Sequence, residues 1–314
     1  MLKIYRTDNG ILTEQEEITE GVWIDLTAPT MDETTRLSKR FGIDLVDIRA
    51  ALDDEESSRV DLEDGYTLIL VDIPFEEVRN NRKAYTTIPL GILIVADTII
   101  TVCAENTPVL NLFRNNRVRG MSTKKRMRFV YQVLFRTACV YQTYLRIIDK
   151  RRSEIEARIT DKLTEDTDLI DLHELESNLV YFATSLSANK MVLDRLTRYE
   201  RIKQYPEDKE LLEDVIVENR QAIEMTNIYR DIIHGTQDLL STVINNRLNN
   251  IMKVLTSITL VMAIPTIISG IYGMNVSGQW MPLSDTPHGF GIICLFTAAV
   301  CVIVLWVLKK RKML

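Results

Sequence analysis

The chain has 314 residues, of which 46% are hydrophobic and 26% charged, and its formal net charge at pH 7 is -6. An acidic protein repels phosphate groups, so we expect no nucleic-acid partner. The four cysteines are scattered without a Cys-x-x-Cys pair or a histidine at ligand spacing, which predicts neither a disulfide framework nor a structural zinc site. No apolar segment follows the first residues, so we expect no signal peptide and a soluble domain that begins in the cytoplasm.

Short apolar segments rich in branched residues predict strands near the start of the chain. One of them, Gly-Val-Trp-Ile-Asp-Leu at 21–26, runs into a Thr-Ala-Pro-Thr turn, and a helix is expected from Asp32. Further strands are expected at 66–73, 91–95 and 99–103. Asp97 and Thr98 separate the last two as a predicted hairpin turn. We therefore expect residues 1–125 to form a cytoplasmic α/β domain.

Strand signals vanish after about residue 125, and residues 126–253 are expected to form a helical region. Its first helices are predicted at 129–150, 151–162 and 173–201. From about residue 208, apolar residues recur at spacings of three, four, seven and ten with no proline until Pro265, which predicts one long stalk helix. If it runs unbroken to Tyr272, this helix is about 100 Å long and couples a cytoplasmic domain directly to a membrane span.

Two segments free of Asp, Glu, Lys and Arg predict transmembrane helices at 254–272 and 290–308. Each reaches about 28 Å, close to the hydrocarbon thickness of a bilayer. Basic residues flank the two segments, whereas the connecting extracytoplasmic loop at 273–289 has neither Lys nor Arg. The positive-inside rule therefore predicts a multi-pass protein of the cell membrane (inner or plasma) with both termini in the cytoplasm, including a basic tail at 309–314.

Two membrane spans cannot enclose an aqueous path by themselves, because a pore needs several helices arranged around an axis. Transport by this chain would therefore require self-association into a homo-oligomer within the lipid bilayer. This inference follows from geometry and leaves the number of subunits open.

The segment Tyr-Gly-Met-Asn at 272–275 closes the first span, and Met281-Pro282 follows in the loop. Together with Asn-Asn-Ile-Met-Lys-Val-Leu-Thr at 249–256 and the order of the domains, these residues resemble the CorA family of divalent-cation transporters. The resemblance implies an oligomeric membrane channel, a homopentamer, that carries Mg²⁺ and is gated by cytoplasmic Mg²⁺, with Co²⁺ and Ni²⁺ as further candidate ions. It also implies a selectivity filter made of Gly273, Met274 and Asn275.

The chemistry of Mg²⁺ supports a role for Asn275 at the outer mouth of such a channel. The ion is hard, small and slow to lose its water, so proteins usually hold it through retained waters. An asparagine side chain and nearby backbone carbonyls accept hydrogen bonds from those waters without removing them. The alternative is that Gly273 and Asn275 merely end a helix, which both residue types do well.

The resemblance implies further pore-lining or gating positions on the long helix. These positions are Asn249, Met252, Leu255, Asp238, Thr266 and Ser269. Met252 and Leu255 would form an apolar constriction, which can gate an ion path by dewetting. Asp238 would concentrate cations below that constriction. The alternative for these side chains is packing between neighbouring helices.

A regulatory Mg²⁺ site between subunits is also implied by the resemblance. Alignment along the stalk places Asp214 at the acidic position of this site, with a partner near Asp72, Glu76 or Glu77 in the α/β domain. Apposed carboxylates repel one another, bound Mg²⁺ bridges them, and loss of the ion lets the subunits move apart. The alternative is that these acids are solvated surface groups.

The outer loop departs from the family pattern at one point. Many members have Glu after Met-Pro, whereas here Leu283 and Ser284 follow and the single acid of the loop is Asp285. The shifted acid bears on how the mouth attracts cations and therefore on ion selectivity.

The sequence leaves three alternatives to a Mg²⁺ channel. A zinc transporter of the same superfamily would usually depart from Gly-Met-Asn, which this chain retains. A non-conducting Mg²⁺ sensor would share the stalk and the acids but would gain nothing from Asn275. A membrane-anchored enzyme would need a catalytic constellation, and His173, His234 and His288 are too dispersed to build one. The chain has no glycine-rich phosphate loop, so neither a nucleotide nor another organic cofactor is expected.

Overall fold

The computed structural model describes residues 1–8, 10–79, 82–161, 167–198, 205–275, 281–283 and 286–311. The chain divides into two compact units, Met1–Gln237 and Asp238–Leu314. The first unit contains an α/β domain and most of the helical region, as predicted. The second contains the apolar end of the chain.

The described residues of the first unit include one β-sheet. Its strands are β1 (Leu2–Asp8), β2 (Ile11–Gln15), β3 (Val22–Thr27), β4 (Arg59–Leu62), β5 (Tyr66–Arg79), β6 (Arg82–Val95) and β7 (Thr98–Cys103). They lie in the order β2-β1-β3-β7-β6-β5-β4. Within this sheet β3 and β7 pair in parallel, and the other neighbours pair antiparallel. The strand predicted at 21–26 is β3, at the centre of the sheet.

The hairpin of β5 and β6 is longer than its apolar pattern predicts. Its far half is polar, and there the Lys83 Nζ donates to Glu76 Oε1 at 2.6 Å. The turn predicted at Asp97 and Thr98 is wrong by one residue, because Ala96 and Asp97 form it and Thr98 pairs with Val95 as the first residue of β7. A β-branched threonine favours extended backbone, so it joins the strand rather than the turn.

Helices of the described residues are α1 (Met31–Phe41), α2 (Leu45–Arg49), α3 (Pro108–Arg114), α4 (Arg126–Thr160), α5 (Asp168–Leu196), α6 (Pro206–Tyr272) and α7 (Gly289–Lys310). A capping box starts α1, because the Glu33 N–H donates to Thr30 Oγ1 and the Thr30 N–H donates to Glu33 Oε2. The segments predicted at 129–150 and 151–162 are one helix, α4. The long helix predicted from about residue 208 is α6, which continues through Pro265.

The sheet is covered by helices on both faces. One face packs with α1 and α2 through residues such as Ile24, Leu37 and Ile48. The other packs with α3 and α4 through Trp23, Phe113 and Phe129. A central strand buried on both sides reads as a continuous apolar run, which is why β3 was recognisable in the sequence.

A charged pair is buried beside the central strand. Asp25 of β3 is 2% exposed, and Arg114 of α3 donates from Nε to Asp25 Oδ2 at 2.6 Å. The Thr101 hydroxyl donates to Asp25 Oδ1 at 3.1 Å and accepts from Trp23 Nε1 at 2.8 Å. Burial raises the pKa of Asp25, and the Arg114 charge opposes that shift. The network fixes α3 to β3 and to β7, and its parts come from three separate stretches of sequence.

Candidate functional site

The first membrane helix ends at the predicted filter tripeptide. The Gly273 N–H donates to the Ser269 carbonyl at 2.9 Å, and the Met274 N–H donates to the Ile271 carbonyl at 3.3 Å. A Cβ on Gly273 would lie 3.2 Å from the Ser269 carbonyl oxygen, so a larger residue here would require a shift of a few tenths of an ångström. Asn275 follows the turn and is exposed. This geometry agrees both with a filter residue and with a simple helix end.

A hydrogen bond joins the loop beyond the tripeptide to the end of the helix. The Tyr272 hydroxyl donates to the Pro282 carbonyl at 2.9 Å. The contact places Met281–Leu283 beside the end of α6 and so beside the tripeptide. Residues 276–280, 284 and 285 lie outside the described residues, and the prediction for Asp285 falls among them.

The predicted gate residues lie on the exposed surface of α6. Met252 is 55% exposed and Leu255 63% exposed, and Asn249 and Asp238 are exposed as well. Successive positions three or four apart on a helix stand one above another, so Asn249, Met252 and Leu255 form a short column. Exposed apolar side chains of this size require a lipid or protein neighbour. The second unit of a single chain is therefore consistent with both predicted roles of Met252 and Leu255, as a gate and as packing between neighbouring helices.

The two hydroxyl groups predicted to line the pore bond to their own helix. Thr266 Oγ1 donates to the Met262 carbonyl at 3.0 Å, and Ser269 Oγ donates to the Thr266 carbonyl at 3.2 Å. Each oxygen still has lone pairs that can accept from a hydrated ion. Ser269 also lines a groove of about 800 Å³ between α6 and α7, whereas Thr266 does not line it.

A cysteine of α7 compensates for the proline inside α6. Pro265 has no N–H, so the carbonyl of Val261 lacks its usual helical donor. The Cys301 thiol lies with Sγ 3.8 Å from that carbonyl oxygen and donates to it. Neighbouring helices can satisfy freed carbonyls in this way inside a membrane. The contact was not predicted from the sequence, although a proline four positions after Val261 is a signal that such a donor is needed.

Asp214 lines a cavity of about 410 Å³ in the first unit. The cavity is also lined by Arg119, Arg128 and Arg136, and Arg128 Nη1 pairs with Glu207 Oε2 at 2.9 Å. Three guanidinium groups offset the acids of this cavity. A divalent cation bound at Asp214 would therefore need a further carboxylate, such as one from another subunit.

Asp72 of β5 is held inside its own chain. Its N–H donates to Asn189 Oδ1 at 2.9 Å, and Asn189 Nδ2 donates to its carbonyl at 2.7 Å. Burial raises the pKa of the Asp72 carboxyl, and the nearby hydroxyls of Ser185 and Ser58 lower it in part. A carboxyl enclosed in this way is less accessible to a neighbouring subunit than an exposed acid.

Glu76 and Glu77 lie in the polar half of the β5–β6 hairpin and already have basic partners. Glu76 pairs with Lys83 at 2.6 Å, and Glu77 pairs with Arg79 at 2.5 Å. Among the described residues, no three His, Cys, Asp or Glu side chains are grouped so that they could hold a metal ion as they stand. The described residues of one chain therefore do not form a complete metal site at these acids, and the intersubunit site stays a prediction.

Two helices in the described part of the chain are long and apolar enough to cross a membrane, and almost none of either apolar segment is buried within the chain. The family model described as CorA-like Mg²⁺ transporter protein matches residues 19–310. The chain belongs to the CorA family. With these exposed apolar helices, it is an integral membrane protein.

Individual CorA proteins match most of the chain. The cobalt/magnesium transport protein CorA of Methanocaldococcus jannaschii is 30% identical over 298 residues, covering 92% of this chain and 90% of that protein. The protein of the same name from Thermotoga maritima is 25% identical over 299 residues, covering 93% and 83%. The complete structure of the CorA magnesium transporter from M. jannaschii superposes with a TM-score of 0.84 at 26% identity, covering 99% of this chain and 98% of that one. The predicted family and fold class are confirmed: an N-terminal α/β domain, a long helix and two apolar C-terminal helices.

Proposed function

We propose that this CorA-family chain assembles into a homo-oligomeric channel that carries Mg²⁺ across the membrane, with Asn275 at the outer mouth. The observation that carries the proposal is the exposed Gly-Met-Asn turn at the end of the first membrane helix, in a chain whose relatives are named as cobalt/magnesium transport proteins. One Asn275 from each subunit would form a ring of amide oxygens that accept hydrogen bonds from the waters of a hydrated cation. No catalytic step is part of this function.

The membrane potential supplies the driving force in this proposal. An inside-negative potential is worth about 2.3 kcal/mol per elementary charge per 100 mV, and a divalent ion gains about twice that. Both termini would lie in the cytoplasm, because basic residues flank the two spans and the connecting loop has none. Two spans per chain cannot surround a path, so several copies are required, and the family resemblance implies five.

The gate in this proposal is the apolar column on α6. Met252 and Leu255 are exposed in the single chain, and in an oligomer their side chains would converge on the axis. A narrow apolar ring excludes water and blocks a hydrated ion without a physical plug. Asn249 and Asp238 would attract cations on the cytoplasmic side of that ring. Thr266 would offer a hydroxyl on its outer side, as would Ser269.

Cytoplasmic Mg²⁺ would close the channel by binding between subunits at Asp214. The arginines around Asp214 make a single chain a weak site, so binding would require an acid of the neighbouring subunit. Among the three predicted partners, Glu76 and Glu77 are better placed than Asp72, whose carboxyl is largely enclosed. Ion binding would hold subunits together, and ion loss would release them and favour the open state.

Replacing Asp214 by alanine is expected to weaken inhibition by internal Mg²⁺. The half-inhibiting concentration should rise about tenfold, within the usual range of allosteric coupling. Proteoliposomes loaded with graded Mg²⁺ concentrations would provide the measurement. Glu213→Ala removes an exposed acid one position away and should leave the concentration unchanged. An Asp214→Ala protein that is inhibited as strongly as the wild type would contradict the regulatory role.

The choice of ion is tested by supplying Mg²⁺, Co²⁺, Ni²⁺ or Zn²⁺ outside liposomes that contain the purified protein and a trapped indicator. Mg²⁺ influx supports the proposal, and Co²⁺ or Ni²⁺ influx extends it. Influx of Zn²⁺ without Mg²⁺ would identify a zinc transporter instead. Correctly assembled protein that conducts none of these ions would favour a non-conducting Mg²⁺ sensor.

A further inference from the structure

Two of the three histidines in the sequence converge on one carboxylate between α5 and α6. His173 and Glu176 lie three positions apart on α5, and His234 and Gln237 lie three positions apart on α6. Residues with this spacing share one face of a helix. Each helix thus presents a pair of polar side chains to the same point. The histidines are far apart in the sequence, so their spacing did not predict this meeting.

The imidazole nitrogens lie near the carboxylate of Glu176, at distances longer than those of hydrogen bonds. His234 Nε2 lies 3.5 Å from Glu176 Oε1, and His173 Nδ1 lies 3.8 Å from Glu176 Oε2. An N–H···O hydrogen bond has its heavy atoms about 2.7–3.2 Å apart. Two ligands of a tetrahedral metal ion, each about 2.0–2.1 Å from it, are about 3.3 Å apart. The two nitrogen–oxygen distances exceed that ligand separation by about 0.2 and 0.5 Å, so the side chains would have to move closer together to bind one ion.

Gln237 holds the carboxylate in place. Its Nε2 donates to Glu176 Oε2 at 3.0 Å, and the Glu176 side chain is 23% exposed. An outer hydrogen bond of this kind orients a ligating carboxylate and is a common feature of protein metal sites. Glu176 is thus fixed, while the two histidines around it remain accessible from solvent.

We propose that His173, Glu176 and His234 bind one transition-metal cation of the Co²⁺ or Zn²⁺ type and thereby join α5 to α6. Imidazole nitrogen suits these ions, whereas Mg²⁺ prefers oxygen ligands, so this site selects against the ion assigned to the channel. In the described part of the chain these side chains do not enclose a common point, so closure requires side-chain rotation, above all of His173, which lies farther from Glu176 than His234 does. That rotation is unhindered by burial, because the His173 side chain is 77% exposed.

Metal binding at this point would stabilise the packing of α6 against α5. Helix α5 also packs on β4, β5 and β6, so the ion would fix this part of α6 to the sheet. Binding to the folded state alone raises the thermal midpoint in proportion to the logarithm of ligand concentration. The proposal does not rest on transport and can succeed or fail independently of it.

The test uses full-length protein in detergent, stripped of metal with a chelator and titrated with Co²⁺. Binding is read from the visible d–d absorption of bound Co²⁺ and from the thermal midpoint. We expect one Co²⁺ per chain at this site, retained in excess Mg²⁺, and at least tenfold weaker binding in His234→Ala and in Glu176→Gln. His288→Ala removes the third histidine and should bind as the wild type does. Midpoints without metal establish that each variant is folded.

Two results would overturn the proposal. One is equal Co²⁺ affinity and absorption in the wild type and in folded His234→Ala, which would show that His234 is not a ligand. The other is displacement of the ion by an equal concentration of Mg²⁺, which would show a carboxylate site without nitrogen ligands. A second Co²⁺ bound elsewhere does not confuse the result, since the difference between wild type and variant isolates this site.

Discussion

Replacing Asn275 by alanine is expected to abolish Mg²⁺ influx through the reconstituted protein while folding and assembly remain intact. Asn275 is exposed beyond the last turn of α6, and its side chain can accept hydrogen bonds from the waters of a hydrated ion. A hydrogen bond to a charged partner contributes about 1.5–3 kcal/mol, and every subunit of the oligomer would lose one. The influx rate should therefore fall by at least about tenfold and, if the losses add, to background.

The controls separate this effect from damage to the fold. Asn227→Ala makes the same chemical change at an exposed position of the cytoplasmic part of α6 and should conduct as the wild type does. Chemical cross-linking and gel filtration should show the same oligomer for both variants. Full influx through an assembled Asn275→Ala protein would mean that the tripeptide only ends the helix, which is the alternative that its geometry also permits.

Replacing Arg114 by methionine is expected to destabilise the α/β domain by about 3–5 kcal/mol, because it leaves the buried Asp25 without its charged partner. The Arg114 guanidinium also donates from Nη2 to Thr27 Oγ1 at 2.8 Å, so β3 loses a second contact. Hydrogen exchange measured by mass spectrometry on the full-length protein should show faster exchange in β3 and β7. The thermal midpoint should fall in parallel.

The pH dependence of this effect identifies its cause. The pKa of Asp25 is already raised by burial, and loss of Arg114 raises it further, because the opposing charge is gone. Asp25 is therefore more readily protonated in the folded variant. The loss in free energy of unfolding caused by Arg114→Met should shrink as the pH falls through that raised pKa. Asp25→Asn combined with Arg114→Met should be more stable at neutral pH than Arg114→Met alone. A destabilisation by Arg114→Met that is independent of pH and unchanged in the double variant would indicate lost packing instead.

The parts of the fold with strong local signals could be predicted from the sequence. The apolar run at 21–26 identified the central strand β3, and the absence of charge at 254–272 and 290–308 identified two membrane segments that the structure places in α6 and α7. The strands β1, β2 and β4 were missed. Each lies in the outer part of the sheet and mixes a few apolar residues with polar or charged ones, such as Lys3 and Arg6 in β1, which weakens the apolar signal.

Features that depend on contacts between distant residues could not be predicted in the same way. Asn275 could be proposed from a local motif and its address at the end of a span. The partner of Asp214 could not be chosen, because Asp72, Glu76 and Glu77 differ mainly in what other elements pack around them. The meeting of His173 with His234 requires the docking of two helices, which no local pattern reports.

The most direct test of the channel is the Mg²⁺ influx rate into proteoliposomes, measured without ATP while a potassium gradient and an ionophore set the membrane potential. A passive channel predicts influx that increases as the interior is made more negative and that decreases as internal Mg²⁺ rises. Influx that is absent at every potential and every internal Mg²⁺ concentration, from protein shown to be assembled, would contradict the proposed function.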